Sequence, residues 1–383
     1  MQSSRWLALD SARGLAVLGM ILVVSPGSWV YRFKELDHAL WNGWAAPDLV
    51  MPLFLFCVGL ALGFKIFRST NSKLDLSKVI VRTFLLITIG LVLSWIDSGD
   101  LKTIRIPGIL QRIAVCYLLA SIILHIFYKK SSYGMSVFAF LIVICLANYL
   151  LMNGYAIAAA ESGELTFRDN LAALIDRWIF GVQHLWIWGK DTNGDVVYDP
   201  EGLLSTIFAT SNVLAGALLF LLREKIKASG SDKTKQLVTI IAIACLVAAY
   251  VLDNYGVLIN KKLWSLSFTL LSIGLCILVI VMLDLIHTNA TVSKALFGLQ
   301  PLIVLGSNAI LAFVISTLLL IYSATPMLKL ESEPVGLQAY TYHQVNSVIK
   351  DPHLASLACA LIVSLAIYLL LLPLFRKRIF LRL

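Results

Sequence analysis

The sequence predicts an all-α polytopic membrane protein of about ten transmembrane helices. Three observations predict it. The 383 residues are 59% hydrophobic and 14% charged, against about 45–50% and about 25% in ordinary soluble domains. Mean hydropathy is +0.85. Apolar runs near the length needed to cross the hydrocarbon core, about 20 residues, recur from residue 9 to residue 374 with short polar connections between them.

Ten runs are assigned as spans: 9–26, 48–68, 77–96, 110–128, 133–152, 203–222, 235–253, 264–286, 300–323 and 354–374. The first carries Asp10 and Arg13 and lacks a small-residue cleavage site, so it reads as a helix rather than a removable signal. The second opens on Asp48, an acid that suits a helix N-terminus. The third contains Arg82, and the fourth begins between Arg105 and Arg112, which bracket IPGILQ. The fifth is apolar throughout. The sixth follows YDPEG, where Asp199 and Glu201 are read first as caps. Asp253 and Asp284 stand near the ends of the seventh and eighth, at interfacial depth. The ninth contains GSNAIL (306–311), and the tenth is followed by a basic terminus. Residues 1–383 are read as a single integral membrane domain.

The net charge of +9 does not indicate a nucleic-acid partner, because the positive residues fall in short loops between apolar segments. On the N-terminal side 17 Lys and Arg are found, against 12 on the other side in longer loops. The positive-inside bias then places both termini in the cytoplasm and the connections 27–47, 97–109, 153–202, 254–263 and 324–353 on the far face. Those far-face connections hold Trp29, Trp41, Trp44, Trp186 and Trp188, and four of the six histidines, His38, His184, His343 and His353. Within 153–202, LAALIDRWIF (171–180) reads as a short helix on the membrane surface. The six cysteines sit singly in apolar segments, without metal-ligand spacing, and are read as small buried residues. No metal site and no permanently bound cofactor is expected, since no metal-ligand or nucleotide-loop pattern appears.

Ionisable groups at bilayer depth are costly and are candidates for function. Asp10 and Arg13 share a helix face and either neutralise one another or serve a ligand. Arg105 and Arg112 oppose the local helix dipole, so each needs an anion, either a carboxylate such as Asp10 or Asp97 or a phosphate-bearing or acidic-sugar ligand. His38 lies between Asp37 and the polar-aromatic group Trp41, Asn42 and Trp44. Imidazole suits proton transfer or nucleophilic attack near neutral pH, provided that a second group such as Asp48 or Asn42 fixes its tautomer. A histidine merely hydrogen-bonded in an interfacial loop is the competing interpretation. A useful site would have His38 lining a cavity that continues toward the cytoplasm, not sealed in packing.

Seven blocks in order, LDSARGLAVLGMILV (9–23), HALWNGWAAPDLVMPLFLFCVG (38–59), IRIPGILQRIAVCYLLA (104–120), IDRWIFG (175–181), YDPEGLLSTI (198–207), LWSLSFTLL (263–271) and GSNAIL (306–311), resemble the transmembrane acetyltransferases typified by heparan-alpha-glucosaminide N-acetyltransferase. The resemblance implies transfer of an acetyl group from acetyl-CoA, taken from the cytosol, to the amine of an amino sugar or glycan on the far side. It places the family's active-site histidine on His38, and its bacterial relatives point to an inner (plasma) membrane. On it we assign Asp48 as the orienting acid, and Asn42, Asp10, Arg13, Arg105, Gln111, Arg112 and Asn308 as substrate-binding candidates. The expected partners are acetyl-CoA, the acceptor and the lipid bilayer, with a homodimer as the assembly to test. Val24 and Ser25 stand where bacterial relatives usually carry an asparagine pair, and Ser316 and Thr317 where many have a histidine and an acid; these departures bear on acceptor identity. The rival class is a transporter or flippase of a sugar-containing solute, which often shows broken helices and inverted repeats.

Overall fold

Without water to bind them, backbone amides and carbonyls must pair within one segment, and long apolar runs therefore become helices. The computed structural model describes residues 6–68, 74–128, 133–158, 165–228, 233–295, 297–330 and 333–381. Of the loop charges counted above, Arg5, Lys73, Lys129, Lys130 and Arg382 lie outside the described residues. The helices in chain order are α1 (Leu7–Val24), α2 (Val50–Arg68), α3 (Leu76–Ser98), α4 (Ile109–Phe127), α5 (Tyr133–Ala158), α6 (Leu171–Phe180), α7 (Leu203–Ala228), α8 (Thr234–Asn254), α9 (Leu266–Thr288), α10 (Ala290–Ala295), α11 (Gln300–Ser307) and α12 (Ala309–Ala324). A hairpin of β1 (Pro326–Leu330) and β2 (Glu333–Gly336), then α13 (Leu337–Ile349) and α14 (Pro352–Arg376), complete the order. Short 3-10 turns occur at Lys34–Leu36, Ala46–Leu49, Val182–His184 and Phe297–Leu299.

Among the described residues, nine helices are long and apolar enough to cross a membrane unbroken, as an all-α membrane protein requires. The ninth expected span, 300–323, is corrected. Its two halves, α11 and α12, meet at 85°. Asn308 leaves helical geometry at the junction, with φ −129° and ψ 46°. Its amide donates to Ile379 O (3.2 Å) and accepts from Leu381 N–H (2.9 Å). A side chain that bonds distant backbone offers an alternative to the helix ladder, and hydropathy cannot register it. The connection 324–353 contains the β1–β2 hairpin and α13, more structure than a connector needs.

The contacts divide the chain into two compact units. The first comprises Met1–Ala39, Ala45–Phe54 and Met282–Leu383. Its core is Val17 and Ile21 of α1 with Val304, Leu305, Ala309, Ala312, Ile367 and Leu371. α1 and α11 approach so closely that a Cβ on Gly14 would lie 1.8 Å from Leu302 O, and one on Gly306 would lie 1.9 Å from Asp10 O. Only glycine allows backbones to meet at this range.

The second unit comprises Leu40–Trp44 and Leu55–Val281. Its most enclosed span is α7, packed by α4, α5, α6 and α8. A Cβ on Gly59 would lie 1.9 Å from Val213 O, and one on Gly216 would lie 2.2 Å from Phe56 O, so α2 and α7 also meet through glycine. α5 and α8 turn most of their side chains outward, as lipid-facing helices do. Of the six cysteines, Cys57, Cys116, Cys276 and Cys359 are buried.

Candidate active site

In the first unit the chain leaves α1 through Pro26, Gly27 and Ser28 and is fastened to α14. Gly27 N–H donates to Ser356 O (3.1 Å), and the Ser356 hydroxyl accepts from Ser28 N–H (3.1 Å) and donates to Ser28 O (3.0 Å). A Cβ on Gly27 would fall 2.8 Å from Cys359, which explains a glycine in the PGSW stretch. Arg32 forms an ion pair with Asp37 and lies 5.2 Å over the Trp29 ring. The turn Lys34–Leu36 then packs on the turn Ala46–Leu49 and delivers His38.

Asp48 belongs to that second turn, which Pro47 opens with a preset φ. Its Oδ2 accepts Ala45 N–H (2.9 Å) and Ala39 N–H (3.1 Å), and its Oδ1 pairs with His38 Nδ1 (2.7 Å). The carboxylate is therefore both a cap and a histidine partner, and the two roles weighed from sequence coincide. Its side chain is 2% exposed, whereas that of His38 is 44% exposed. An ionised Asp48 holds the proton of neutral His38 on Nδ1, which puts the basic lone pair on Nε2. The imidazole is not sealed in packing.

The other candidates in this unit are not brought to His38. Val50 packs on Gly19 of α1, nine residues beyond Asp10, a helical rise of about 13 Å. Asp10 pairs with Arg13 at 3.4 Å. Around it Trp6 Nε1 donates to Asp284 (3.1 Å), and Ser11 Oγ shares a hydrogen bond with His287 Nε2 (2.8 Å). Both ends of the Asn308 amide are occupied by the backbone of residues 379 and 381. Of the departures noted above, Ser25 is buried, with an Oγ that has no hydrogen-bond partner among the described residues. Ser316 is buried and donates to Phe313 O (2.8 Å).

The second unit contains a separate buried polar cluster. Arg105 forks onto Asp199, with Nε to Oδ2 at 2.8 Å and Nη2 to Oδ1 at 2.5 Å, and Nη2 also reaches Glu201 at 2.6 Å. Its acids are thus Asp199 and Glu201, neither Asp10 nor Asp97, a pairing that corrects the partners entertained from sequence. Asp199 also accepts Trp186 N–H and Glu201 N–H, both at 2.8 Å. Burial raises the Glu201 carboxyl, but the neighbouring Arg105 and Arg112 charges overcome it and hold the group below the ordinary carboxylate range. Burial likewise lowers Arg105, and Asp199 and Glu201 more than reverse it.

Arg112, 1% exposed, donates to Thr206 Oγ1 (3.1 Å), Pro200 O (2.6 Å) and Ser205 Oγ (2.5 Å). Its guanidinium lies 5.1 Å from the centre of the Trp264 ring. Trp264 is fully buried, with φ at +53°. It is pinned by Asn212, which accepts its indole N–H (3.0 Å), and by Asn148, which donates to its carbonyl (3.0 Å). Gln111 packs its amide against Gly90 and Gly108. Asn42 accepts from Asn260 Nδ2 (3.2 Å), beside Gly43, whose N–H reaches Ile259 O at 2.7 Å and whose φ is +90°.

Sequence reasoning gave Asp176 no role. It is buried in α6, and its Oδ1 accepts Leu203 N–H (2.8 Å) at the start of α7. A Cβ on Gly202 would strike its Oδ2 at 1.7 Å. An acid on the apolar face with Ala172 and Ala173 was the available signal. Burial, reinforced by Asp199 and opposed by the Leu203 N–H, pushes Asp176 up to about 7. A carboxyl raised above its unfolded value of 3.8 favours the fold fully below that value, and the contribution fades as pH rises to about 7. Asp176→Asn keeps an acceptor for Leu203 N–H. It is expected to flatten the fall in thermal stability between pH 4.5 and 7.5 by up to a few kcal/mol. An unchanged slope in melting scans against pH would refute this.

Comparison with known proteins meets these blocks. Residues 5–168 match the family described as heparan-alpha-glucosaminide N-acetyltransferase, catalytic. The enzyme of that name from Mus musculus is 29% identical, over 82% of this chain and 53% of its own length. The Homo sapiens enzyme is 28% identical, over 81% of this chain and 52% of its own. The chain is thus similar to the heparan-alpha-glucosaminide N-acetyltransferases. Both His38 and Asp48 fall inside the segment matched to this family, as do Arg105, Gln111 and Arg112; Asp199, Glu201 and Asn308 lie beyond it. The chain spans about half the length of the curated relatives it matches.

Proposed function

We propose that the chain is a membrane-embedded acyltransferase that moves an acetyl group from acetyl-CoA to the amine of an amino sugar. The observation that carries this is the His38–Asp48 pair: a half-open imidazole whose Nδ1 is held at 2.7 Å by a carboxylate that is itself fixed by two backbone N–H groups. The names of the relatives support the reaction class and the acceptor, a glucosaminide. In the transfer the amine nitrogen attacks the thioester carbonyl, the N–C bond forms, the C–S bond breaks and coenzyme A leaves as its thiolate. His38 Nε2 accepts the proton that the amine sheds and passes it to the departing sulfur. In the two-step variant Nε2 first takes the acetyl group and then yields it to the amine. Asp48 stabilises the charged imidazole in either route.

The charge asymmetry of the loops supports His38 on the far face of the membrane, and the resemblance implies a donor drawn from the cytoplasm across a plasma membrane. An accessibility tag in residues 27–37 that reacts from the cytoplasmic side would reverse the orientation. The broken α11–α12 pair is a feature that transporters share, where the loosened backbone lines a solute path. Here the amide at the break is taken by the chain's own backbone, which favours the enzyme.

The test is purified protein in detergent with labelled acetyl-CoA and glucosamine. N-acetylated product is expected, with coenzyme A released in equal amount. Uptake of an unmodified sugar into proteoliposomes, with no acetylated product, would instead establish the transporter.

A further inference from the structure

α6 lies between two spans without being long enough to be one. Its ten residues rise about 15 Å, half of a hydrocarbon core of about 30 Å. One face is committed to the fold: Ala172, Ala173 and Asp176 are buried, α6 packs on α7, and Asp176 anchors the first N–H of α7. The other face is apolar and uncovered. Trp178 is 83% exposed, and Leu174, Ile179 and Val182 are exposed beside it in sequence. The following turn adds Ile187 at 64% and Trp188 at 67%.

Two further observations say what covers this surface. α6 also packs on α5, whose outward side chains Leu150, Leu151 and Ile157 belong to a lipid-facing span of the same unit. The apolar face of α6 thus continues a surface that already meets acyl chains. A cation stands at its margin. The Lys190 ammonium is exposed and sits 5.8 Å over the Trp188 ring. Asp176, the acid within α6, is turned into the fold, and Asp191 and Asp195 are both paired with Arg168. Bulky apolar and indole side chains with a cation at their edge match the headgroup–acyl boundary of a phospholipid leaflet.

We propose that the outward face of α6 and the turn after it bed into that boundary, with Trp178, Ile187 and Trp188 as anchors and Lys190 against the phosphates. The segment is then an interfacial foot of the second unit. It needs only the membrane architecture and is independent of the acyl-transfer reading.

The experiment uses the full chain in phosphatidylcholine–phosphatidylglycerol nanodiscs, made with and without lipids brominated near the headgroup end of the chain. Tryptophan emission is recorded for the parent, for Trp178→Phe and for Trp188→Phe, and each variant is subtracted from the parent. Each difference spectrum is expected to be blue-shifted and at least twofold weaker in brominated lipid, with little response to aqueous iodide. A red-shifted difference quenched by iodide would overturn the proposal by placing the residue in water. A blue-shifted difference indifferent to bromine would also overturn it, in favour of a protein partner or a second copy of the chain. Both variants keep an aromatic ring at an outward position, so each reads out its own site in a folded protein.

Discussion

His38→Ala is expected to abolish measurable acetyl transfer, a loss of at least about 10²–10⁴-fold in kcat, the usual worth of a positioned general base. The protein should still fold, because the side chain is nearly half exposed and Asp48 keeps its two backbone donors. Asp48→Asn is the more informative partner. The native carboxylate accepts three hydrogen bonds, two on Oδ2 and one on Oδ1. An amide offers one acceptor and one donor end. If its oxygen keeps the Ala39 and Ala45 N–H groups, its NH₂ faces His38 Nδ1, the proton shifts to Nε2, and the base is lost. If the oxygen faces the histidine, the NH₂ meets two backbone N–H groups and the turn is destabilised. Either arrangement should cost about 100-fold or more in kcat, and only the second should lower the melting temperature. The measurement is turnover with labelled acetyl-CoA beside a melting curve for each variant. Full activity in His38→Ala would end the proposed mechanism.

Asp199→Ala is expected to produce the largest loss of stability. It removes both oxygens from the Arg105 fork and leaves the Trp186 and Glu201 N–H groups without their acceptor. The Asp199 side chain is fully buried and that of Arg105 is one-quarter exposed. Breaking a buried pair from one side costs about 3–5 kcal/mol, because the remaining charge has no compensation. Glu201 keeps one bond to Arg105, which places the expected loss toward the lower end. Arg105→Lys should fall between the parent and Asp199→Ala, since an ammonium cannot reproduce the planar two-bond fork. A melting temperature for Asp199→Ala within 1 °C of the parent would show the pair to be inconsequential, since a loss of about 3 kcal/mol, against an unfolding entropy of about 2.1 cal/mol/K per residue, shifts a chain of 383 residues by roughly 4 °C.

How much of this was legible depended on sequence distance. His38 and Asp48 are ten residues apart and joined by a short loop, so residue type and proximity made Asp48 a candidate partner beside Asn42 without deciding between them. Arg105 and Asp199 are 94 residues apart. The sequence showed that a cation at a helix start needs an anion, but not which anion. The short helix 171–180 was legible because its apolar and polar positions alternate with helical period. The role of Asp176 was not, because its pairing is with a backbone N–H that no composition rule marks. Span positions followed from hydropathy, which measures transfer of side chains and is blind to backbone direction. For that reason nine spans came through as unbroken helices and the ninth in order as a pair bent at Asn308.

The clasp on Asn308 also fixes an order of events in biosynthesis. Its partners, Ile379 and Leu381, are translated 71 and 73 residues after it. At roughly 5–20 residues per second, a ribosome takes on the order of 4–14 s to reach them. Throughout that interval the corner between α11 and α12 has no clasp, and only the arrival of the last stretch of chain can finish it.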